Sequence, residues 1–212
     1  MDMTPKELRN EKLGAKVVKA LESRHFGACY CSTKEEGLKK ALELIPEGST
    51  VAWGGSMTAQ QIGLMDAVHN GKYQLIDRDA AAPEEKAAVM RRALLAEYFI
   101  SGANGISEDG EIVNVDGNGN RVAGIAYGPE HVIIVAGINK VVKNLESATE
   151  RARTIAAPIN KQRFGGTTPC LKTGSCGNCR AEDCICCQIL TTRVCRPAGR
   201  IYVILIGEEL GF

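Results

Sequence analysis

His131-Val132-Ile133-Ile134-Val135-Ala136 is an unbroken apolar run rich in β-branched residues. A strand with one wet face would alternate apolar and polar residues, so this one reads as a strand covered on both sides. The segments around it repeat the pattern. Tyr98 to Gly102, Thr50 to Trp53 and Ile201 to Ile206 are further apolar strands, with shorter ones predicted at Gly27 to Ser32 and Tyr73 to Asp77. Helical segments separate them. Thr4-Pro5-Lys6-Glu7 supplies a hydroxyl cap and a proline at the first helical position. Leu13, Val17 and Leu21 then recur every four residues and predict one buried helix face. Thr33-Lys34-Glu35-Glu36 opens a second helix that Pro46-Glu47-Gly48 ends, Thr58 to Asn70 a third stopped by Gly71, Pro83 a fourth through Glu97, and Asn144 to Ala157 a fifth. Strand and helix alternate, which predicts an α/β fold: a mostly parallel sheet flanked by helices, with ligands at the carboxyl ends of its strands. The turn Asp116-Gly117-Asn118-Gly119 between Glu111 to Val115 and Arg121 to Ala126 reads as an inserted β-hairpin.

Composition narrows the class. The 212 residues are 44% hydrophobic and 24% charged, which argues against disorder, and no run reaches the roughly 18 apolar residues of a membrane span. Neither repeats nor a long linker divide the chain, so residues 1–212 are read as a single domain. The formal charge of +1 gives no bulk attraction for nucleic acid. The polar start Met1-Asp2-Met3-Thr4-Pro5 has no signal-like apolar stretch, and a cytoplasmic location is expected.

Nine cysteines are many for a reducing compartment, where they serve more often as metal ligands or redox thiols than as disulfides. Cys29, Cys31 and Cys195 read as core thiols. Residues 166–188 hold the others: Cys170, then the C-x2-C pair Cys176 and Cys179, then Cys184, Cys186 and Cys187. Soft thiolates this closely spaced, with Gly174 and Gly177 tightening the loop, suit a [4Fe-4S] cluster or a tetrahedral zinc. Cys170, Cys176 and Cys179 supply three ligands, and Cys184 or Cys186 the fourth. The spare thiols favour iron-sulfur chemistry over a static staple.

Two loops at predicted strand ends are candidate ligand sites. Trp53-Gly54-Gly55-Ser56-Met57-Thr58 joins a strand to a helix, where Gly54 and Gly55 allow close approach and Ser56 and Thr58 offer donors to an anion, although the Rossmann and Walker spacings are absent. The second loop runs Gly102-Ala103-Asn104-Gly105-Ile106-Ser107-Glu108-Asp109-Gly110. It offers Asn104 and Ser107 as hydrogen-bonding groups and Glu108 and Asp109 as candidate acid or base. Arg151, Arg153, Lys161 and Arg163 form a basic stretch that faces either an anion or solvent, while His25, His69 and His131 read as structural.

Taken together, several motifs resemble the LUD-domain (lactate utilisation, DUF162) family, in particular its single-domain members with a cysteine-bearing C-terminus. They are Gly55-Ser56-Met57-Thr58 with Ile62-Gly63-Leu64, Gly102-Ala103-Asn104 to Asp109-Gly110, Asp116-Gly117-Asn118-Gly119-Asn120-Arg121, Gly137-Ile138-Asn139-Lys140, Ala156-Ala157-Pro158-Ile159-Asn160, and Thr168-Pro169-Cys170 with Thr173-Gly174-Ser175-Cys176. The resemblance implies a fold like the sugar-phosphate isomerase and CoA-transferase superfamily. It also places the fourth sulfur seven positions after the C-x2-C pair, on Cys186. It further implies an iron-sulfur role in oxidising a small organic acid, L-lactate to pyruvate, alongside iron-sulfur oxidoreductase subunits. Two other readings stand beside it: a zinc-stapled isomerase- or transferase-like enzyme for a phosphorylated or CoA-linked anionic metabolite, and a ligand-sensing module, for which no helix-turn-helix is visible. Val141, Val142 and the apolar stretch Leu205 to Phe212 are the candidate surface for a homodimer.

Overall fold

The structure, a computed structural model, describes residues 3–212. Among the described residues, ten strands form two sheets: β1 (Gly27–Cys31), β2 (Thr50–Trp53), β3 (Gln74–Leu75), β4 (Tyr98–Gly102), β5 (Gly105–Ser107), β6 (Ile112–Asp116), β7 (His131–Gly137), β8 (Val141–Val142), β9 (Gln188–Thr192) and β10 (Ile201–Ile206). The larger sheet is parallel throughout, in the order β1-β10-β7-β4-β2-β3. The fold is therefore α/β, with helices on both sides of a parallel sheet.

The apolar run at 131–136 forms the middle of this sheet, with β4 on one side and β10 on the other. Its side chains alternate between two cores. Val132, Ile134 and Ala136 join Phe99, Val203 and Leu205 beneath the helix Pro5–Ser23, whose Val17 and Leu21 fill that layer. Ile133 and Val135 join Trp53, Ile100, Ile204 and Ile206 beneath Lys34–Glu43 and Leu64–Asn70. Thr4 caps the first helix through a complete capping box, and Thr33 accepts from Glu36 N at the start of the second.

A second sheet, ordered β8-β5-β6-β9, stands beside the first. It packs on a long helix over residues 145–161, with Val113 and Val115 against Ala148, Ala152 and Ala157. Most of this sheet lies outside the sequence reading. The expected hairpin around residues 116–119 is corrected: Asn120–Ala126 is a helix, and Asp116 Oδ2 caps it by accepting from Arg121 N (2.7 Å) and Val122 N (3.2 Å). The antiparallel turn sits earlier, between β5 and β6, with Gly110 at φ 86° and Ser107 N bonded to Glu111 O. An Asp-Gly-Asn-Gly stretch serves either purpose, because aspartate caps helices as readily as it turns chains.

Three further boundaries shift. The helix predicted over 58–70 divides into Met57–Gln61 and Leu64–Asn70, with Gly63 at φ 79° between them. The one expected from Pro83 to Glu97 is Lys86–Arg92 followed by a 3-10 turn, and the strand at 73–77 pairs only over Gln74–Leu75. Leu205 and Ile206 are fully buried inside β10, and the half-buried Val141 and Val142 pair with β5. No helix among the described residues is long and apolar enough to cross a membrane.

The two-faced sheet makes Ile134, which is 0% exposed, a sensitive position. Ile134→Ala is expected to lower unfolding free energy by about 2–5 kcal/mol in chemical denaturation. Leu95→Ala, at a side chain 85% exposed, should change it by less than about 0.5 kcal/mol.

Candidate functional site

The carboxyl ends of β2, β4 and β7 open onto a cleft of about 510 Å³. Gly54 and Gly55 leave the end of β2, and what their missing side chains make room for is two arginines. A Cβ on Gly54 would lie 2.7 Å from Arg121 Cγ, and one on Gly55, already at φ 79°, 2.7 Å from an Arg78 terminal nitrogen. Arg121 is held by carbonyls, donating to Gly55 O (3.3 Å) and to Val115 O. Its Nε is buried without a partner, as is Asn114 Oδ1 nearby in the second sheet. Lys140 enters from the turn after β7. It is 4% exposed, and its Nζ donates to Thr58 Oγ1 (2.9 Å). Burial, then the charges of Arg151 and Arg121, push this ammonium down to about 7.

The residues predicted for the cleft divide between lining it and building it. Gly54, Gly55, Ser56 and Asn104 line it. Ser56 also caps Met57–Gln61 by accepting from Ala59 N (3.1 Å), and Asn104 Oδ1 accepts from Val115 N (3.0 Å), joining β4 to the second sheet. Thr58 is fully buried behind the loop, bonded to Leu210 O (3.3 Å) and Lys140. Ser107 is turned inward onto Glu111 (2.8 Å).

Glu108 and Asp109 do not face the cleft, which corrects their reading as its acid and base. Because residues 105–107 form β5, the chain carries them past the cleft to the outer turn. There Glu108 pairs with Lys16 and Lys143 (3.1 Å), which hold its carboxyl below the usual range, and the Asp109 carbonyl accepts from Arg24. The charged groups that do line the cleft are Arg78, Lys86, Arg121, Lys140 and Arg163, with Asp79, Asp116, Glu182 and Asp183. Arg121 and Lys140 end two of the motifs quoted above, so their positions at strand ends were the available signal.

The cysteine segment closes one side of the cleft. The helix over 145–161 changes pitch in its middle: Ala152–Ala156 is π-helical, and Ala157 N reaches back to Ala152 O. Pro158, which has no N–H to donate, follows directly. The face bearing Arg153, Ala157, Pro158 and Lys161 looks into a second cavity of about 260 Å³. Cys170, Cys176, Cys179, Cys184 and Cys186 line its other walls, with Ile185 and Ile189. All nine thiols are free. Burial pushes the Cys186 thiol up to about 12, with the neighbouring Cys184, Cys176 and Cys170 adding to the shift.

Hydrogen bonds fix the segment to the helix. Lys161, 3% exposed, donates to Asp183 O (2.8 Å) and Oδ2 (3.1 Å). Asp183 also accepts from Thr167 N (2.8 Å) and Oγ1 (2.9 Å). Thr167 and Lys161 hold its carboxyl well below the usual carboxylate range, so the pair stays charged where ordinary carboxylates protonate. Gly166, at φ 114°, is required here because a Cβ would collide with that carboxylate. Gln162 Nε2 donates to Cys170 O (3.0 Å) and Arg153 to Asn178 Oδ1 (2.5 Å). Cys184 and Ile185 line the cleft as well as the cysteine cavity, so one short stretch of chain is the wall between them.

The remaining candidates are structural in their surroundings. Cys31 and Cys195 are buried, the latter with Sγ against Pro197 O (3.1 Å). His69 packs on Trp53 and pairs with Asp77, and His131 stacks on Tyr98. Arg151 holds the carbonyls of Asn139 (3.0 Å) and Asn104 (2.5 Å).

Residues 14–206 match the LUD domain. The chain belongs to the LUD-domain family. Among solved structures, this LUD domain is similar in fold to a DUF162-family protein from Deinococcus radiodurans, with a TM-score of 0.53 at 8% identity over 93% of this chain and 97% of that one. Weaker likenesses are to eIF2B delta from Chaetomium thermophilum (TM-score 0.34, 15% identity, 67% of this chain and 57% of that one) and 5-methylthioribose 1-phosphate isomerase from Pyrococcus horikoshii (0.36, 17%, 76% and 51%). No curated protein matches the LUD domain significantly.

Removing the carboxylate that ties residues 166–188 to the helix should free the thiols. Asp183→Ala in the metal-free chain is expected to raise the rate of labelling by a chromogenic disulfide severalfold, and an unchanged rate would mean that the segment is held elsewhere.

Proposed function

We propose that this LUD domain is an iron-sulfur component of organic-acid oxidation, acting on a small 2-hydroxy acid such as L-lactate with pyruvate as product. The observation that carries this reading is the common wall: Cys184 and Ile185 separate a cavity lined by thiols from a strand-end cleft whose lining includes Arg78, Arg121 and Lys140 beside Asp79 and Asp116. Cys170, Cys176, Cys179 and Cys186 are the ligands, and Cys184 is the alternative fourth. The donor set fits a cluster: soft thiolates against the apolar walls of Ala157, Pro158 and Ile189. A bound [4Fe-4S] cluster supplies one-electron redox chemistry.

The chain's own residues then have defined tasks. Arg78, Arg121 and Lys140 attract and orient the carboxylate of the acid, and the apolar residues around the cysteines keep water from the sulfurs. Converting a 2-hydroxy acid to a 2-oxo acid releases two electrons and two protons. The proposal assigns the acceptor of those two electrons to iron-sulfur partner subunits, with the two protons leaving to solvent.

Anaerobic purification followed by a visible spectrum and metal analysis tests the reading. The expected result is a brown protein with about four irons and four acid-labile sulfides per chain, lost in Cys179→Ser and Cys186→Ser and retained in Cys184→Ser. One colourless zinc per chain, lost in Cys179→Ser, would overturn it and make the segment a staple for an isomerase- or transferase-like cleft.

A further inference from the structure

Lys140 is the cleft group whose charge the surrounding structure leaves unbalanced. It lies at the end of β7, 4% exposed, and its one hydrogen-bond partner is the neutral Thr58 hydroxyl. The elements packed against it supply cations, Arg121 from the helix Asn120–Ala126 and Arg151 from the helix over 145–161, and both raise the cost of charging it. From the C-terminal side Gly211 closes over Nζ with backbone alone. Three of the cleft's carboxylates are engaged elsewhere: Asp116 caps a helix, Asp79 accepts from Trp53 Nε1 (2.9 Å), and Asp183 holds Lys161. The fourth, Glu182, lies exposed on the cysteine segment, and Phe212 O accepts from Arg151 (3.3 Å). Among the described residues none pairs with Lys140. A buried ammonium without a counter-charge is expensive, and it becomes favourable when an anion arrives.

We infer that a small organic anion entering the cleft seats against Lys140 Nζ, and that Nζ takes up one proton from solvent as it does so. The inference deepens the reading of the cleft as an organic-acid site and rests on it. No covalent bond changes: neutral amine, proton and carboxylate become ammonium paired with carboxylate. Burial and the two guanidiniums hold the free amine near 7, and the bound anion raises it. The raised bound-state value sets the sign. Affinity is full below pH 7, where Lys140 is already charged, and falls about tenfold per unit as pH rises above it, until the bound-state value is reached. Proton uptake is therefore small at pH 6 and approaches one per bound anion at pH 8.

Calorimetric titration of the purified full chain with L-lactate, pyruvate and sulfate, each in two buffers of different ionisation enthalpy, measures this uptake directly. The expected result is uptake near one proton at pH 8 and little at pH 6 for a bound acid, with Lys140→Arg binding the same acid without uptake, because a guanidinium is always charged. Equal uptake in Lys140→Arg, or acid binding at pH 8 with no uptake in the wild type, overturns the inference and leaves the organic-acid reading standing. Binding of sulfate alone, with uptake, overturns that reading and, with it, the organic anion of the inference. Absence of all binding overturns both. Should Lys140→Arg not fold, Lys140→Met is expected to lose at least tenfold in affinity at pH 6, and wild-type affinity there would overturn the inference.

Discussion

The parallel pairing of β7 between β4 and β10 is the constraint on which the rest of the molecule depends. A strand in that place has no wet face, so every second side chain must find an apolar layer above the sheet and the others a layer below it. Two helical layers follow from this, and so does the direction of every connection. Because the strands are parallel, β2, β4 and β7 release their chains at one edge, and the glycines and polar groups that follow them meet there. The cleft is thus a product of strand direction.

Cationic side chains brought so close together need support that does not neutralise them. Arg151 obtains it from backbone carbonyls, which solvate a guanidinium and leave its charge uncancelled, and Arg121 from carbonyls together with the nearby Asp116. Lys161, a few residues from the cysteines, is treated differently and receives a full carboxylate partner in Asp183. One edge of the sheet therefore keeps its positive field available, while the neighbouring cavity is fastened by a charge pair and lined by sulfur and hydrocarbon.

The six strands of the main sheet were readable because continuous apolar runs of that length leave few alternatives, as β7 and β10 illustrate. The second sheet was less legible. β5 and β8 are three and two residues long, and β9 carries Gln188, Thr191 and Thr192, so none has a periodicity to detect. Asp116 misled for a chemical reason, since the same carboxylate that tightens a turn also caps a helix. The cysteine cluster could be seen as spacing, and Gly54 and Gly55 as a loop. That those glycines exist for Arg121 and Arg78, and that Glu108 is drawn off to Lys16 and Lys143, are facts of long-range packing which no local pattern carries.

The wall formed by Cys184 and Ile185 has a thermodynamic side. Two cavities that share backbone are coupled to the extent that a ligand on one side selects among positions of the chain that the other side also feels. Gly117 sharpens this, since its Cα packs so near Ile185 that a Cβ there would approach the Ile185 Cα to 3.2 Å. Whatever factor an anion in the cleft imposes on affinity at the sulfurs, the occupant of the sulfurs imposes the same factor on the anion. In this architecture the stretch at Cys184 and Ile185 is the one element through which occupancy of either cavity would be felt in the other.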